Sequence, residues 1–475
     1  MMPIAIMPCG AAGTTTTTTV GCGAPAHRRG RSGWIPRPPS QGRRRPAAVK
    51  TERRRSSRHL VRSLDLEPLD VDGWGETTLR EAQEATGAVF DAGTTVPIRF
   101  EGEEVVSEAD LLSQDRCVFC DLSDASVLQV RGEDRLAFLH NQSTASVEGV
   151  ETGRVVETAF VTAKAGMIDA ASLLVQKQSV LVLASAGGAA RLAAHLEKHI
   201  FPRDDIVVSD VSSNLSVFSL LGSGSTAVME RLGLAHDLGQ NRQVLVSFQG
   251  YPLCIARATG LGVPGYTWIV DKTIAVEAWE LLLGLENTAP IGSAAYEALR
   301  IEVGRPKMGS ELTEDWNPLE AGLLGRCLDV EKGCSIGQEV IKRVHAKNGI
   351  TRRLWGLSSE GLLQEGENIL HEGKKVGTVT SACEVAGGGS VALGYVRTRV
   401  AGAPFSAEGK ALSVGGVVAT GASLTYTDYP TALGEGEGEE EGGEEEGGEE
   451  EARRRKQEEM KARMEEWLEQ QSKNK

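Results

Sequence analysis

Short segments rich in apolar residues and separated by turns run through the middle of the chain. Residues 155–162 and 167–175 are predicted strands, and residues 164–166 between them predict a tight hairpin turn. Residues 189–199 instead have the apolar spacing of an amphipathic helix. Further strands are predicted at 206–211, 215–221, 243–248, 251–256 and 266–270, and further helices at 133–141, 274–283 and 294–303. Successive strands joined by tight turns, with helices between groups of strands, indicate an α+β fold with mainly antiparallel sheets.

The pattern changes after Arg352 to short strands separated by glycine-rich turns. The predicted strands are 353–357, 375–380, 391–396 and 416–420. Such a series without helices is typical of a small all-β barrel or sandwich. We therefore predict a separate C-terminal β-barrel domain.

These patterns divide the chain into five segments. They are a transit peptide at 1–60, an N-terminal extension at 61–115, the α+β domains at 116–350, the β-barrel domain at 351–430 and a tail at 431–475. The tail contains only Gly and Glu from 434 to 451, a composition that cannot bury enough apolar surface to fold. A charged helix is predicted after it, at 452–471.

Charge separates the N-terminus from the rest of the chain. Residues 1–60 carry eleven Arg and one Lys against a single Glu, although the whole chain has a net charge of −14. A basic, nearly acid-free start that includes the threonine run 14–19 favours a chloroplast transit peptide over a mitochondrial one. A basic tail that stays attached is the alternative. The acidic remainder disfavours nucleic acid as a partner, because it would repel phosphate.

Two other classes are disfavoured by composition. No run approaches the about 18 apolar residues that span a bilayer, so membrane insertion is not expected. The eight cysteines are irregularly spaced, which indicates reduced thiols and not a disulfide scaffold. Cys117 and Cys120 form a lone C-x-x-C pair, too few ligands for a structural zinc. We interpret both as packing residues, and we predict no metal site.

The segment 331–339 carries the most informative chemistry. Cys334 lies two residues after Lys332, and Gly333 and Gly337 allow a tight backbone around the thiol. A nearby ammonium favours the thiolate, so the pattern is consistent with a reactive cysteine. A small buried cysteine in a glycine-rich turn is the alternative.

Lys332-Gly333-Cys334 followed by Gly337-Gln338-Glu339 resembles the signature of the YgfZ-type proteins, which are relatives of the glycine-cleavage T-protein. The resemblance extends from about 120 to 425. Other segments that carry it are 131–135, 138–144, 299–304, 318–323, 379–381 and 392–396.

The resemblance implies a body of three domains around a central channel that holds tetrahydrofolate. It implies a folate-binding accessory protein for the assembly or repair of iron–sulfur proteins in an organelle, with iron–sulfur client or assembly proteins as partners. The alternative is an enzyme, a folate-dependent aminomethyltransferase like the T-protein. An interaction module that uses the acidic tail is a third possibility.

The resemblance also implies the site residues. Lys332 and Cys334 are the implied functional pair, and the candidate contacts of the reduced folate are Asp169, Glu302, Arg300 and Gln338. A carboxylate such as that of Asp169 can accept hydrogen bonds from pterin N–H groups. The alternatives are an edge carboxylate at Asp169 and a structural ion network between Arg300 and Glu302.

Three short segments depart from the family pattern. Ala170 stands where T-proteins have a second consecutive Asp, and Tyr296-Glu297 stands where they have Arg-Asp. Ser335 replaces an aromatic residue that is usual in the YgfZ-type signature. The first two departures weaken the aminomethyl-transfer interpretation and leave folate binding open.

Overall fold

The computed structural model describes residues 78–103, 106–113, 115–234, 238–385 and 388–429. The helices are α1 (Leu79–Ala85), α2 (Glu108–Ser113), α3 (Arg135–Gln142), α4 (Ala189–Glu197), α5 (Ser225–Arg231), α6 (Ala275–Leu283), α7 (Ser293–Val303), α8 (Leu324–Cys327) and α9 (Gln338–Ala346). The strands before the barrel are β1 (Ala88–Val89), β2 (Arg99–Phe100), β3 (Cys117–Asp121), β4 (Ser126–Arg131), β5 (Val155–Val161), β6 (Met167–Val175), β7 (Ser179–Ala184), β8 (Val207–Asp210), β9 (Leu215–Leu221), β10 (Gln243–Phe248), β11 (Tyr251–Ala256), β12 (Gly265–Asp271) and β13 (Thr288–Ile291). The later strands are β14 (Arg352–Ser359), β15 (Asn368–His371), β16 (Lys374–Glu384), β17 (Ser390–Arg397), β18 (Arg399–Val400), β19 (Ala403–Pro404), β20 (Ala411–Val414) and β21 (Val417–Ala422).

The first large sheet has five antiparallel strands in the order β5-β6-β7-β4-β8. The hairpin of the edge strand β5 and its neighbour β6 is the one that the sequence predicts, and Ala165 in the turn has a positive φ of 62°. Every residue of β6 is buried, because both faces of this strand are covered by protein. One face packs on α4 through Leu192 and Leu196. The prediction of an amphipathic helix there is confirmed.

The second sheet has six strands in the order β10-β11-β12-β9-β3-β13. It is antiparallel except for the β3–β13 pair, which is parallel. Trp279 of α6 anchors its core, with its ring stacked on Phe100 at 5.7 Å and edge-on to Phe119 at 4.9 Å. Cys117 packs in this core whereas Cys120 packs on the opposite face of β3. The two thiols therefore point apart, which agrees with packing roles and excludes a redox pair.

The C-terminal strands form a closed barrel in the order β14-β17-β16-β15-β20-β21. Buried Glu311 joins the barrel to the preceding loop, because its Oε1 accepts hydrogen bonds from the hydroxyls of Thr380 at 2.6 Å and Ser381 at 2.7 Å. Its other oxygen accepts from the Lys307 backbone N–H at 3.0 Å. All of these donors hold one buried carboxylate, which fixes the barrel against the segment that follows α7.

The α+β class, the mainly antiparallel sheets and the C-terminal barrel are therefore confirmed. The five segment boundaries stay predictions. The transit peptide at 1–60 and the tail at 431–475, with its helix at 452–471, lie outside the described residues. Within the described ranges, no helix has the length and apolar character to cross a membrane.

Candidate functional site

A cavity of about 490 Å³ lies where the two large sheets meet α7. Strands of both sheets supply apolar walls, among them Leu174 and Leu183 from the first sheet and Val217 and Ala256 from the second. Because side chains alternate along each strand, every second residue of a strand can face the cavity. The volume and the mostly apolar walls suit an organic ligand of moderate size.

Charged side chains converge at the α7 end of this cavity. Arg300 binds Glu297 through two parallel hydrogen bonds, both of 2.9 Å, and the Lys307 ammonium lies 3.3 Å from the same carboxylate. Burial alone would raise the pKa of Glu297, but the hydrogen bonds and charges of Arg300 and Lys307 hold it below its ordinary value. Glu297 is therefore an ionised acceptor at the cavity wall at neutral pH.

The guanidinium of Arg300 is committed to protein contacts. It is buried, and besides Glu297 it binds the Glu311 carboxylate at 3.2 Å and the Arg305 carbonyl oxygen. Those contacts use its donors to hold α7, the following loop and the barrel together. Arg300 lines the cavity, and its geometry assigns it to support of Glu297 more than to direct ligand binding.

Asp169 lies directly behind the cavity wall. Its carboxylate accepts hydrogen bonds from the Ser185 backbone N–H at 3.0 Å and from the Ser185 hydroxyl at 2.7 Å. Burial raises the pKa of Asp169, and the hydrogen bonds from Ser185 and Ala170 oppose that rise. Ser185 itself lines the cavity. Because the Ser185 hydroxyl donates its hydrogen bond to Asp169, its oxygen can accept a hydrogen bond from a ligand N–H.

Arg305 also lines the cavity and carries a buried Nε that has no hydrogen-bond partner among the described residues. Tyr426, Tyr296, Asp169 and Glu157 surround it and raise its pKa against the effect of burial. A fixed guanidinium with an unused donor at a cavity wall is suited to an acceptor group of a ligand.

Comparison with known proteins decides the family. The GCVT N-terminal domain matches residues 79–332, and the glycine cleavage T-protein C-terminal barrel domain matches residues 352–418. The chain belongs to the GCVT family. This result covers the body of the protein and both sheets that form the cavity.

Individual relatives of this GCVT-family chain are transferases by name. "Putative transferase At1g60990, chloroplastic" of Arabidopsis thaliana is 36% identical over 287 residues, which are 60% of this chain and 66% of that protein. An aminomethyltransferase of Cutibacterium acnes is 28% identical over 323 residues, which are 64% of this chain and 85% of that protein. The crystal structure of the glycine cleavage system aminomethyltransferase T from Bartonella henselae superposes with a TM-score of 0.63 at 23% identity and covers 74% of this chain and 98% of that one. At that identity the structural likeness establishes the fold alone.

The structure places Lys332, Cys334 and Gln338 away from the cavity lining. The buried Lys332 ammonium donates to the carbonyl oxygens of His140, Ser143 and Ala145, at 2.8 Å for Ser143 and 2.6 Å for Ala145. Burial lowers the pKa of Lys332 to about 8. The ammonium therefore turns into the body instead of toward the thiol, and the catalytic role of this pair stays a prediction.

Gln338 and Cys334 differ in how they are held. The Gln338 amide nitrogen donates to the carbonyl oxygens of Lys332 at 2.7 Å and Gly333 at 2.8 Å, so it shapes the turn. The Cys334 thiol is exposed. Cys334 is not among the residues that line the 490 Å³ cavity, and its functional role stays a prediction.

Glu302 lies outside the cavity as well. Its carboxylate accepts a hydrogen bond of 3.0 Å from the Glu108 backbone N–H, and the residue is exposed. Two residues along a helix are about 200° apart, so Arg300 and Glu302 of α7 cannot face the same wall. The expected ion network between them is wrong, because Arg300 pairs with Glu297 and Glu311.

Sequence reasoning missed Ser185 and Arg305. Ser185 directly follows strand β7, and a polar residue at a strand end next to glycines is the only signal that the sequence offers. Arg305 lies just after the left-handed Gly304 that ends α7. A helix-end position indicates where the chain turns but not that the next side chain enters a cavity.

Proposed function

We propose that this GCVT-family chain is a folate-dependent one-carbon transferase of the aminomethyltransferase type that binds tetrahydrofolate in the 490 Å³ cavity. The observation that carries the proposal is the combination of mostly apolar walls with two fixed acceptors, the Ser185 hydroxyl and the Glu297 carboxylate. A pterin offers a planar apolar face and several N–H donors. Walls and acceptors of this kind recognise both features.

The residues of the chain can also handle a proton. Transfer of a one-carbon unit to an amine releases a proton that a base must accept. The Ser185 oxygen accepts it from the cavity while the Ser185 hydroxyl proton passes to the Asp169 carboxylate, 2.7 Å away. Because burial raises the pKa of Asp169, its protonated form is within reach during turnover. Asp169 thus acts through Ser185, and the apolar walls limit access of water to the reacting groups.

Support for the transferase over the iron–sulfur accessory role comes from the relatives, which are aminomethyltransferases or a transferase by name. The iron–sulfur role and its client proteins stay predictions from the resemblance of residues 332–339. Ala170, in place of a second Asp, leaves Asp169 as the carboxylate of this hairpin for proton transfer.

Calorimetry with the full chain and tetrahydrofolate tests the binding step. We expect Ser185→Ala to weaken binding by about fivefold, the value of one hydrogen bond of about 1 kcal/mol. Asp169→Asn should weaken it similarly, and the double variant no further, because both changes break the same unit. The exposed Ser213→Ala serves as the control. Full additivity, or no binding at submillimolar tetrahydrofolate, contradicts the proposal.

A turnover assay separates the two functions. Tetrahydrofolate and an aminomethyl-lipoyl carrier protein are mixed with the full chain, and ammonia release is measured. The transferase interpretation requires release that depends on Ser185. Folate binding without any release would instead leave the accessory role for iron–sulfur proteins as the better interpretation.

The proposed location is the chloroplast, on the basis of the first 60 residues and of the chloroplastic Arabidopsis relative. Residues 1–60 fused to a fluorescent reporter should enter plastids. Exclusive import into mitochondria, where another relative from Schizosaccharomyces pombe is placed by its name, would overturn this location.

A further inference from the structure

A second cavity of about 480 Å³ lies against the first one. Val155, Ala258 and Thr259 line both, so the two cavities adjoin at these residues. The character of the two spaces differs. The first has mainly apolar walls, whereas charged and amide side chains project into the second, namely Arg154, Glu157, Gln240, Asn241, Arg326 and Asp329.

Arg326 lines this second cavity, and contacts with Tyr426 hold its guanidinium group in place. Its plane lies over the Tyr426 ring, 4.6 Å from the ring centroid, and its Nε donates to the Tyr426 carbonyl oxygen at 3.0 Å. Gly262 makes room for it, since a Cβ there would lie 2.7 Å from Nη2. The two terminal nitrogens contact no protein acceptor within the described ranges of the chain. They therefore retain the paired donors that bind a carboxylate in a bidentate manner.

Arg154 adds a second guanidinium, half-buried at the start of β5. Its side chain forms neither a hydrogen bond nor an ion pair with any described residue. Arg191 and Arg80, by contrast, each pair with a glutamate, at 3.2 Å and 3.0 Å. Two unpaired guanidinium groups in one cavity repel each other unless an anion lies between them.

Glu157 supplies the opposite charge. It lies two residues after Val155 on the same strand face, so its side chain enters the same region. Burial raises the pKa of Glu157, while Arg326, Arg305 and a hydrogen bond from Tyr426 lower it. Its carboxylate has no ion-pair partner within 4 Å in the described part of the chain. The cavity thus contains an acceptor for a cation beside donors for an anion.

Asp329 completes the acidic side of the cavity. Its Oδ1 accepts the backbone N–H groups of Glu331 and Lys332, each at 3.0 Å, which fixes the direction of the carboxylate. With Glu157 it balances the charges of the two arginines. A purely anionic ligand would meet two carboxylates, and a purely cationic one would meet two guanidinium groups. A small ligand that carries both charges satisfies all four side chains.

We propose that the second cavity is a binding site for a small zwitterion of the α-amino acid class, with the ligand carboxylate on Arg154 and Arg326 and its ammonium on Glu157 and Asp329. This site is separate from the proposed folate cavity and does not depend on it. Because Val155 and Thr259 line both cavities, the two ligands would lie side by side.

The test is calorimetric titration of the full chain with L-alanine and glycine, alongside propionate and ethylamine, which each carry one of the two charges. Saturable binding of an amino acid is expected, with each single-charge probe at least tenfold weaker. Tetrahydrofolate binding is measured in the same samples, so a failure of the folate proposal is seen separately.

Variants locate the site. Glu157→Gln and Arg154→Gln should each weaken alanine binding at least tenfold and leave tetrahydrofolate binding within twofold. Arg191→Gln, on the surface and outside both cavities, should change neither. Arg154 is chosen over Arg326 for substitution, because a change at Arg326 would also disturb its contact with Tyr426. Three outcomes overturn the proposal, namely no saturable binding of either amino acid, equally tight binding of propionate, and alanine binding that survives both variants.

Discussion

Replacement of Lys332 by methionine tests whether this lysine stabilises the fold by binding the carbonyl groups at the end of α3. The side chain of methionine has a similar length, so the change removes the ammonium and leaves the packing almost intact. Helix α3 ends at Gln142, and the last carbonyl groups of a helix have no partner within it. Lys332 donates to one of them, at His140, and to two more carbonyls directly after the helix.

The magnitude follows from those three acceptors. Each buried carbonyl left without a donor costs about 1–3 kcal/mol, and loss of a positive charge at the C-terminus of a helix adds about 0.5 kcal/mol. The desolvation of the ammonium, which lowers the pKa of Lys332 to about 8, offsets part of this gain. We therefore expect Lys332→Met to lower the free energy of unfolding by about 3 kcal/mol, within the range for removal of one partner from a buried charged contact.

Urea unfolding followed by tryptophan fluorescence measures this loss. Lys342→Met is the matched control, because Lys342 is an exposed lysine of α9 whose nearest acceptor is 3.4 Å away. The control should lose less than about 0.5 kcal/mol. A loss below about 1 kcal/mol for Lys332→Met, or equal losses in both variants, would refute the stabilising role of the Lys332 ammonium. Lys332 would then be better explained as a positive charge beside Cys334.

Three further predictions concern other parts of the chain. Burial lowers the pKa of His195 to about 4, so protonation favours the unfolded state as the pH falls from about 6.5 toward 4. The free energy of unfolding, measured in urea, should therefore decline less over that range in His195→Leu than in the unchanged protein. Parallel pH profiles of the two proteins would contradict this. Gly132 has a φ of +112° and a Cβ there would lie 1.7 Å from a backbone oxygen, so Gly132→Ala should lower the free energy of unfolding by about 3 kcal/mol or more. Gly149 has a φ of +75° with open space around it, so Gly149→Ala should lower it by about 1 kcal/mol in the same unfolding assay. Cys334, which is exposed, should react with iodoacetamide faster than the buried thiols in peptide mapping of the native protein, and labelling only after denaturation would contradict that.

Local patterns predicted the elements that depend on neighbours in sequence. The hairpin of β5 and β6 follows from two apolar segments around a turn, and four barrel strands, β14, β16, β17 and β21, lie within a few residues of their predicted bounds. The barrel strands β15 and β20 were not predicted. The parallel β3–β13 pair was not predicted. Its two strands are separated in sequence by the whole first sheet and by the other strands of the second, and a short apolar run such as 117–121 does not reveal its partner.

The candidate site was predictable only in part, for a related reason. Asp169 follows a turn that the sequence shows clearly, so its approximate position beside a cavity could be anticipated. Glu302, a predicted folate contact, is not in the cavity lining and its role stays a prediction, since a helix with buried residues on several sides does not indicate which face meets a cavity. Lys332 could not be oriented, because a long side chain turns toward acceptors that the fold supplies from residues 140–145.

Most of the residues singled out in the 332–339 segment have structural roles. Gly337 has a φ of +70°, and a Cβ there would lie 2.8 Å from the Thr162 carbonyl oxygen of the hairpin turn, so only glycine fits. Gln338 closes the turn by donating to two of its carbonyl groups, and Lys332 fastens the end of α3. Because these contacts join the hairpin that carries Asp169 to the helix beside it, the segment can influence the proposed folate cavity without touching it. A change in Lys332 should then alter ligand affinity and stability together, which a residue that acts only on a thiol would not do.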